Sequence, residues 1–385
     1  MQSLKVLAVL GTRPEAIKMG PVITKFGCYS GEIDIKVAVT GQHRSMLDQI
    51  LGLFDIKPDF DLNIMHRNQS LTDVTVRSLR GLEGILRDEH FDLVIVQGDT
   101  TTAFVGALAA YYHQVLIAHV EAGLRTYDKY NPFPEEANRI FIDALADLCL
   151  APTKSSEAAL LAEQVDKNRI FVTGNTVIDA LLSTAKADYQ FSSPSLKVID
   201  FDDRQTLLVT IHRRENHGEP LQTICDALRE LASIRSDIQI IIPVHLNPNV
   251  HNVVHANLGS LETVYLVEPL DYPDFVNLMA RSFIVLTDSG GVQEEAPSLK
   301  KPVLIMRATT ERPEAITAGA ARLVGTQKDT IISEVLRLLH NVEVYQAMAH
   351  AGNPFGDGFA SERIVQIVRN RFALSSSKPD EFVPV

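Results

Sequence analysis

Short, continuously apolar runs rich in β-branched residues recur along this chain, each separated from the next by enough residues for a helix. Behind a strand-like Lys5-Val6-Leu7-Ala8-Val9-Leu10 come 35–40, 92–97, 115–120, 207–211, 238–244, 263–267, 283–287 and 302–306. Runs of this kind read as strands buried on both faces. The clearest intervening helical pattern is Ala137, Ile140, Phe141, Ala144, Leu145 and Leu148, spaced i, i+3, i+4, i+7, i+8, i+11 behind Pro134 at a helix start. The alternation predicts an α/β chain of doubly wound parallel sheets, whose ligands bind outside the carboxyl ends of the strands.

At 385 residues the chain exceeds what one core usually organises, so two domains with a cleft between them are expected. The polar stretch 185–204 interrupts the strand series about midway and marks the region of the boundary. Residues 375–385 open with polar Ser375-Ser376-Ser377-Lys378-Pro379-Asp380, without periodicity, and are expected to form a mobile tail. A hydrophobic share of 45% and a charged share of 22% are those of a globular protein.

The formal charge of −12 argues against nucleic-acid binding through a general basic surface, but leaves room for a local phosphate pocket. Cys28, Cys149 and Cys225 are odd in number and lack paired spacing, so neither a disulfide framework nor a zinc site is indicated and a reducing cytoplasm fits. No export signal is visible, and the apolar stretch Ala103 to Val120 is interrupted by Tyr111-Tyr112-His113-Gln114, which reads as a helix-to-strand transition rather than a membrane span.

Two turns could receive a phosphate. Gly11-Thr12-Arg13-Pro14-Glu15 follows the first strand and would present backbone N–H groups and Arg13 to an anion. Asp288-Ser289-Gly290-Gly291 stands between the 283–287 strand and a helix from about Val292, with Glu294 and Glu295 expected in its first turn. Neither turn carries the GxGxxG spacing of a dinucleotide fold, which disfavours a nicotinamide cofactor. Signatures of zinc hydrolysis, serine esterases and P-loop nucleotide hydrolysis are also missing.

Three acids follow strand ends or open a helix: Asp99, Glu121 and Glu135. Each has an ordinary explanation, as a cap, a strand end, and a partner for Arg139 four residues on, but together they suggest one acid/base site. The second half supplies His212-Arg213-Arg214-Glu215-Asn216, where a histidine and guanidinium groups could neutralise a leaving phosphate, and His245 after another strand.

These segments, with Gln42-His43-Arg44, Gly98-Asp99-Thr100-Thr101, His119-Val120-Glu121-Ala122-Gly123-Leu124-Arg125, Thr173-Gly174-Asn175-Thr176, Thr309-Thr310-Glu311-Arg312-Pro313-Glu314 and Asn353-Pro354-Phe355-Gly356-Asp357-Gly358, resemble the non-hydrolysing UDP-N-acetylglucosamine 2-epimerases from Lys5 to about Arg371. The resemblance implies two Rossmann-like domains of the glycosyltransferase B type, 1–174 and 175–360, with a final helix about 361–374 returning to the first. It implies catalytic roles for Arg13, Lys18, Asp99, Glu121, Glu135 and His212. UDP contacts would come from Arg13, Ser289, Gly290, Gly291 and Glu295, and a second, activating substrate site from Gln42, His43, Arg213 and His245.

The implied ligands are UDP-N-acetylglucosamine and UDP, without metal or cofactor, in a homodimeric cytoplasmic enzyme supplying cell-surface polysaccharide synthesis. The expected reaction is inversion at carbon 2 through loss and re-addition of UDP by way of 2-acetamidoglucal. The rivals are a UDP-sugar glycosyltransferase, a catalytically silent nucleotide-sugar binding protein and a hydrolysing relative. Departures from the family pattern are Ile211 where glycine is common, Gln97 for histidine and Ala308 for aspartate; Ile211 is expected to reshape the phosphate side of the site.

Overall fold

The computed structural model describes residues 3–41, 44–66, 69–377 and 379–384. Contacts gather the chain into two units, Met1–Ala180 with Phe355–Val383, and Leu181–Pro354 with Pro384–Val385.

In the first unit, β1 (Leu4–Leu10), β2 (Ile33–Val39), β3 (Phe60–Asp61), β4 (Leu93–Gln97), β5 (Leu116–Val120), β6 (Leu148–Ala151) and β7 (Ile170–Val172) form one sheet of seven strands, in the order β3-β2-β1-β4-β5-β6-β7. Every recorded pairing is parallel. The winding reverses between β1 and β4, the switch point at which such sheets open a crevice at their carboxyl ends. Gly11 lies there, and a Cβ on it would come within 2.2 Å of the Thr102 hydroxyl, so only glycine lets the turn approach the helix Thr101–Tyr112.

The second unit repeats the plan. Strands β8 (Gln205–Thr210), β9 (Ile238–Pro243), β10 (Val264–Val267), β11 (Ile284–Thr287), β12 (Val303–Ile305) and β13 (Ala321–Leu323) form a six-stranded sheet ordered β10-β9-β8-β11-β12-β13, with its switch point between β8 and β11. Thr210 and Thr287 pair across that point and their hydroxyls lie 2.6 Å apart. A core of Leu207, Val209, Ile240, Ile242, Leu286 and Leu304 fills against the helices Glu219–Ile234 and Lys328–His340. Ile211 joins that core, so the residue expected to reshape the phosphate side points away from it.

Three expectations need correction. The helix behind Pro134 spans Glu135–Leu145, and Leu148 belongs to β6. This helix buries Glu136, Asn138, Arg139, Ile142 and Asp143, while Phe141 is 52% exposed, because its inner face is held by ion pairs rather than by the apolar stripe. The tail is pinned at one point: Phe382 is 1% exposed, its N–H donates to the Val172 carbonyl at 2.8 Å, and the Arg363 guanidinium lies over its ring.

The stretch 185–204 is folded onto the second unit. Asp274 accepts the Tyr189 hydroxyl and the N–H groups of Ser192 and Ser193, and Arg281 packs on the rings of Phe191 and Phe201. Helix Ala360–Arg371 closes the first unit, burying Ile364, Val365, Ile367 and Val368 beside the helix Arg13–Gly27. Ion pairs Lys25 to Glu362 and Arg369 to Glu32 tie it there.

Candidate active site

In the first unit the carboxyl ends of β4 and β5 lead into two of the predicted acids, Asp99 and Glu121. Glu121 directly follows β5 with φ +70°, a left-handed conformation that costs a non-glycine residue about 1–3 kcal/mol and so is sustained by its contacts. One carboxylate oxygen pairs with Lys18 and receives Asn175 Nδ2 at 3.3 Å, while the other receives the Gln97 side-chain amide. Asp99 forms an ion pair with Arg139, and its carbonyl accepts Asn138 Nδ2 at 2.8 Å. Arg139 also meets Glu136 at 2.9 Å.

The ordinary readings of these acids therefore change. Arg139 is engaged by Asp99 and Glu136, and Thr100 rather than Asp99 caps its helix, accepting the Ala103 N–H at 3.1 Å. Glu135 is half-buried at the first position of its helix. It makes no side-chain hydrogen bond or ion pair with the described residues.

The first turn behaves differently from expectation. The first two of its N–H groups are not open to an anion, because the Glu15 carboxylate accepts Gly11 N–H at 3.0 Å and Thr12 N–H at 2.6 Å, with the Thr100 hydroxyl at 2.7 Å. Burial pushes the Glu15 carboxyl up to about 7 against those hydrogen bonds. Arg13, half-buried at the helix start, is left as the group of this turn suited to a phosphate.

In the second unit, Asp288 follows β11 and is fully buried. It accepts the His212 N–H at 3.0 Å, the Arg213 N–H at 2.9 Å and Asn216 Nδ2 at 3.0 Å, and meets His212 Nδ1 at 3.1 Å. Burial raises its pKa, but the His212 contact and the backbone N–H groups outweigh burial and hold it below the usual carboxylate range. The His212 ring is thereby oriented by a buried anion. His245 stacks beside it with centroids 6.1 Å apart.

Ser289 precedes a short helix Gly290–Glu295, so Gly290 and Gly291 occupy its first turn, where N–H groups lack intrahelical acceptors. The Arg213 guanidinium reaches within 3.5 Å of where a Gly290 Cβ would stand, bringing a residue assigned to a separate substrate site beside one assigned to UDP. Glu294 and Glu295 lie in the last turn instead of the first, so the macrodipole does not favour them. Direct partners hold them: Arg312 for Glu294, and the Tyr272 hydroxyl at 3.1 Å for Glu295.

Gln42 and His43 lie outside the described residues. Reading the sequence overlooked Gln97, Asn175 and Asp288 as partners of the predicted groups, and paired Arg139 with Glu135 where the structure pairs it with Asp99. Asn175 and Asp288 stood inside quoted motifs, but their partners are 54 and 76 residues away in sequence, which no local spacing reveals.

The family model for UDP-N-acetylglucosamine 2-epimerase matches residues 29–369. A UDP-N-acetylglucosamine 2-epimerase of Bacillus subtilis is 50% identical over 382 residues, covering 99% of each chain. The solved UDP-GlcNAc 2-epimerase of Neisseria meningitidis bound to UDP-GlcNAc is 47% identical with a TM-score of 0.85, over 95% of this chain and 99% of that one. The Methanocaldococcus jannaschii UDP-GlcNAc 2-epimerase in complex with UDP-GlcNAc and UDP is 35% identical with a TM-score of 0.75, over 95% of this chain and 99% of that one. Identity at this level across essentially the whole chain means that the chain belongs to the UDP-N-acetylglucosamine 2-epimerase family.

Proposed function

We propose that the protein interconverts UDP-N-acetylglucosamine and UDP-N-acetylmannosamine by losing UDP and adding it back. The carbon 2 hydrogen is poorly acidic while UDP is attached. Cleavage of the anomeric C–O bond puts positive charge on carbon 1, to which carboxylates respond, and negative charge on the departing phosphate, to which Arg13 and His212 respond. Loss of the carbon 2 proton then gives 2-acetamidoglucal. UDP returns as a proton reaches carbon 2 from the opposite face, which calls for acid/base groups on both sides or an intermediate that turns.

The observation that supports this reading is that Asp99 and Glu121 follow neighbouring strands in unlike settings, while the helix opened by Glu135 reaches Asp99 through Asn138 and Arg139. Glu121 has both oxygens engaged by Lys18, Asn175 and Gln97; Asp99 is held by Arg139; Glu135 has no side-chain hydrogen bond or ion pair among the described residues. Groups set apart in this way can divide electrostatic and proton-transfer roles. A transferase that passes the sugar to an acceptor needs only one base. The family resemblance supports a catalytic role for His212 and UDP contacts from Ser289, Gly290, Gly291 and Glu295.

We extend the reading to activation by a second substrate through Arg213 and His245, with Gln42 and His43, and to a homodimer. The outward Ile140 and Phe141, with Tyr111 and Tyr112 on the neighbouring helix, give an apolar face that a second copy would cover. Purified protein given UDP-N-acetylglucosamine alone is expected to form UDP-N-acetylmannosamine, separated by ion-exchange chromatography. Turnover that requires an added acceptor would point to transfer instead.

A further inference from the structure

His119 has no part in the chemistry above, yet it is 0% exposed and sits two residues before Glu121. Its Nδ1 lies 2.6 Å from Asp143 Oδ1, and its Nε2 lies 2.7 Å from the carbonyl oxygen of Gly98. A carbonyl oxygen only accepts. The Asp143 carboxylate is an acceptor as well: it takes the Gly123 N–H at 3.1 Å and pairs with Arg125 at 2.8 Å. A neutral imidazole carries one N–H and would leave one of these contacts without a proton.

The three segments joined by this ring are those that bear the candidate acids. Gly98 leads directly into Asp99. Gly123 follows Glu121. Asp143 lies two helical turns beyond Glu135, on the helix that sends Arg139 to Asp99. Burial would raise Asp143, but the His119 and Arg125 charges outweigh burial and hold it below the usual carboxylate range, in keeping with an anion clamped between cations.

We propose that His119 is a positioning residue for the epimerisation, held with both ring nitrogens protonated between Asp143 and the Gly98 carbonyl, so that it fixes the backbone bearing Asp99, Glu121 and Glu135. What is positioned rests on the proposed function; the protonation of the ring does not.

Nitrogen-15 NMR of histidine-labelled protein at neutral pH reads the ring directly, His119 being the one fully buried histidine among the described residues. The expected spectrum has one imidazole with both nitrogens protonated and slow to exchange with water. In steady-state kinetics, His119→Gln and Asp143→Asn are each expected to lower kcat on the order of a hundredfold. KM and UDP affinity should stay within about twofold, and the double variant should be little worse than either single one.

A singly protonated buried ring, a wild-type kcat in His119→Gln, or equal losses in kcat and UDP affinity would overturn the proposal. If His119→Gln does not fold, the wild-type spectrum and Asp143→Asn decide. Should the wild-type protein neither epimerise its substrate nor exchange the carbon 2 proton, the functional reading falls, while the spectrum still decides the clamp.

Discussion

Glu15 is wholly buried, and burial lifts its carboxyl from an ordinary 4.5 to about 7 despite three hydrogen bonds. The folded chain therefore binds this proton more tightly than the unfolded chain. Its contribution to stability is present below about 4.5 and is lost as pH rises through about 7, a total of about 3 kcal/mol. Glu15→Gln has no such proton, so its stability relative to the parent should climb between pH 5 and pH 8 by up to about 3 kcal/mol in urea unfolding. A pH-independent difference would contradict this account. Asp288 has the opposite sign: its depressed pKa contributes stability above the unfolded carboxyl value, lost as pH falls through the folded value. Asp288→Asn is expected to cost about 1.5–3 kcal/mol at neutral pH for each charged hydrogen bond lost, with the gap closing in acid. Thermal unfolding at the two pH values checks it.

At the scale of elements, the helix Glu135–Leu145 shows what pattern reading captures. Its existence and start were legible from Pro134 and the apolar spacing, but its inward face was not. Glu136, Arg139 and Asp143 point inward because each meets an opposite charge there, and Ile140 and Phe141 are turned outward. Strands β4, β5, β8, β9, β10, β11 and β12 were legible within a residue or two because both their faces are apolar. Strands β3 and β13, of two and three residues, carry too few side chains to leave a pattern. If the outward face is a contact between copies, Phe141→Asp should give a monomer by light scattering with an unchanged circular dichroism spectrum. A dimer that survives the substitution would place the contact elsewhere.

At the scale of the whole molecule, the first unit is completed by chain that returns after the second. Ile364, Val365, Ile367, Val368 and Phe382 are all buried, and each such side chain contributes about 1.5–3 kcal/mol. Their sum is comparable to the whole stability of an ordinary domain, about 5–15 kcal/mol. Ending the chain at Pro354 should therefore abolish amide protection in β1, β4 and β5 by hydrogen exchange. Persistent protection would show that the returning helix is dispensable. The candidate site was legible as residue types at strand ends, since the turns after β1, β4, β5, β8 and β11 all lie at or beside the switch points. Its electrostatics were not legible, because Lys18 to Glu121, Arg139 to Asp99 and His212 to Asp288 join residues far apart in sequence.

The central claim is that the carbon 2 proton is removed and returned. Incubation with UDP-N-acetylglucosamine in deuterated water, followed by proton NMR of the sugar, tests it most directly. Deuterium entering carbon 2 of both epimers as UDP-N-acetylmannosamine accumulates is the predicted result, with loss of exchange in Asp99→Asn, Glu121→Gln and Glu135→Gln. Nucleotide-sugar binding without any exchange at carbon 2 would contradict it.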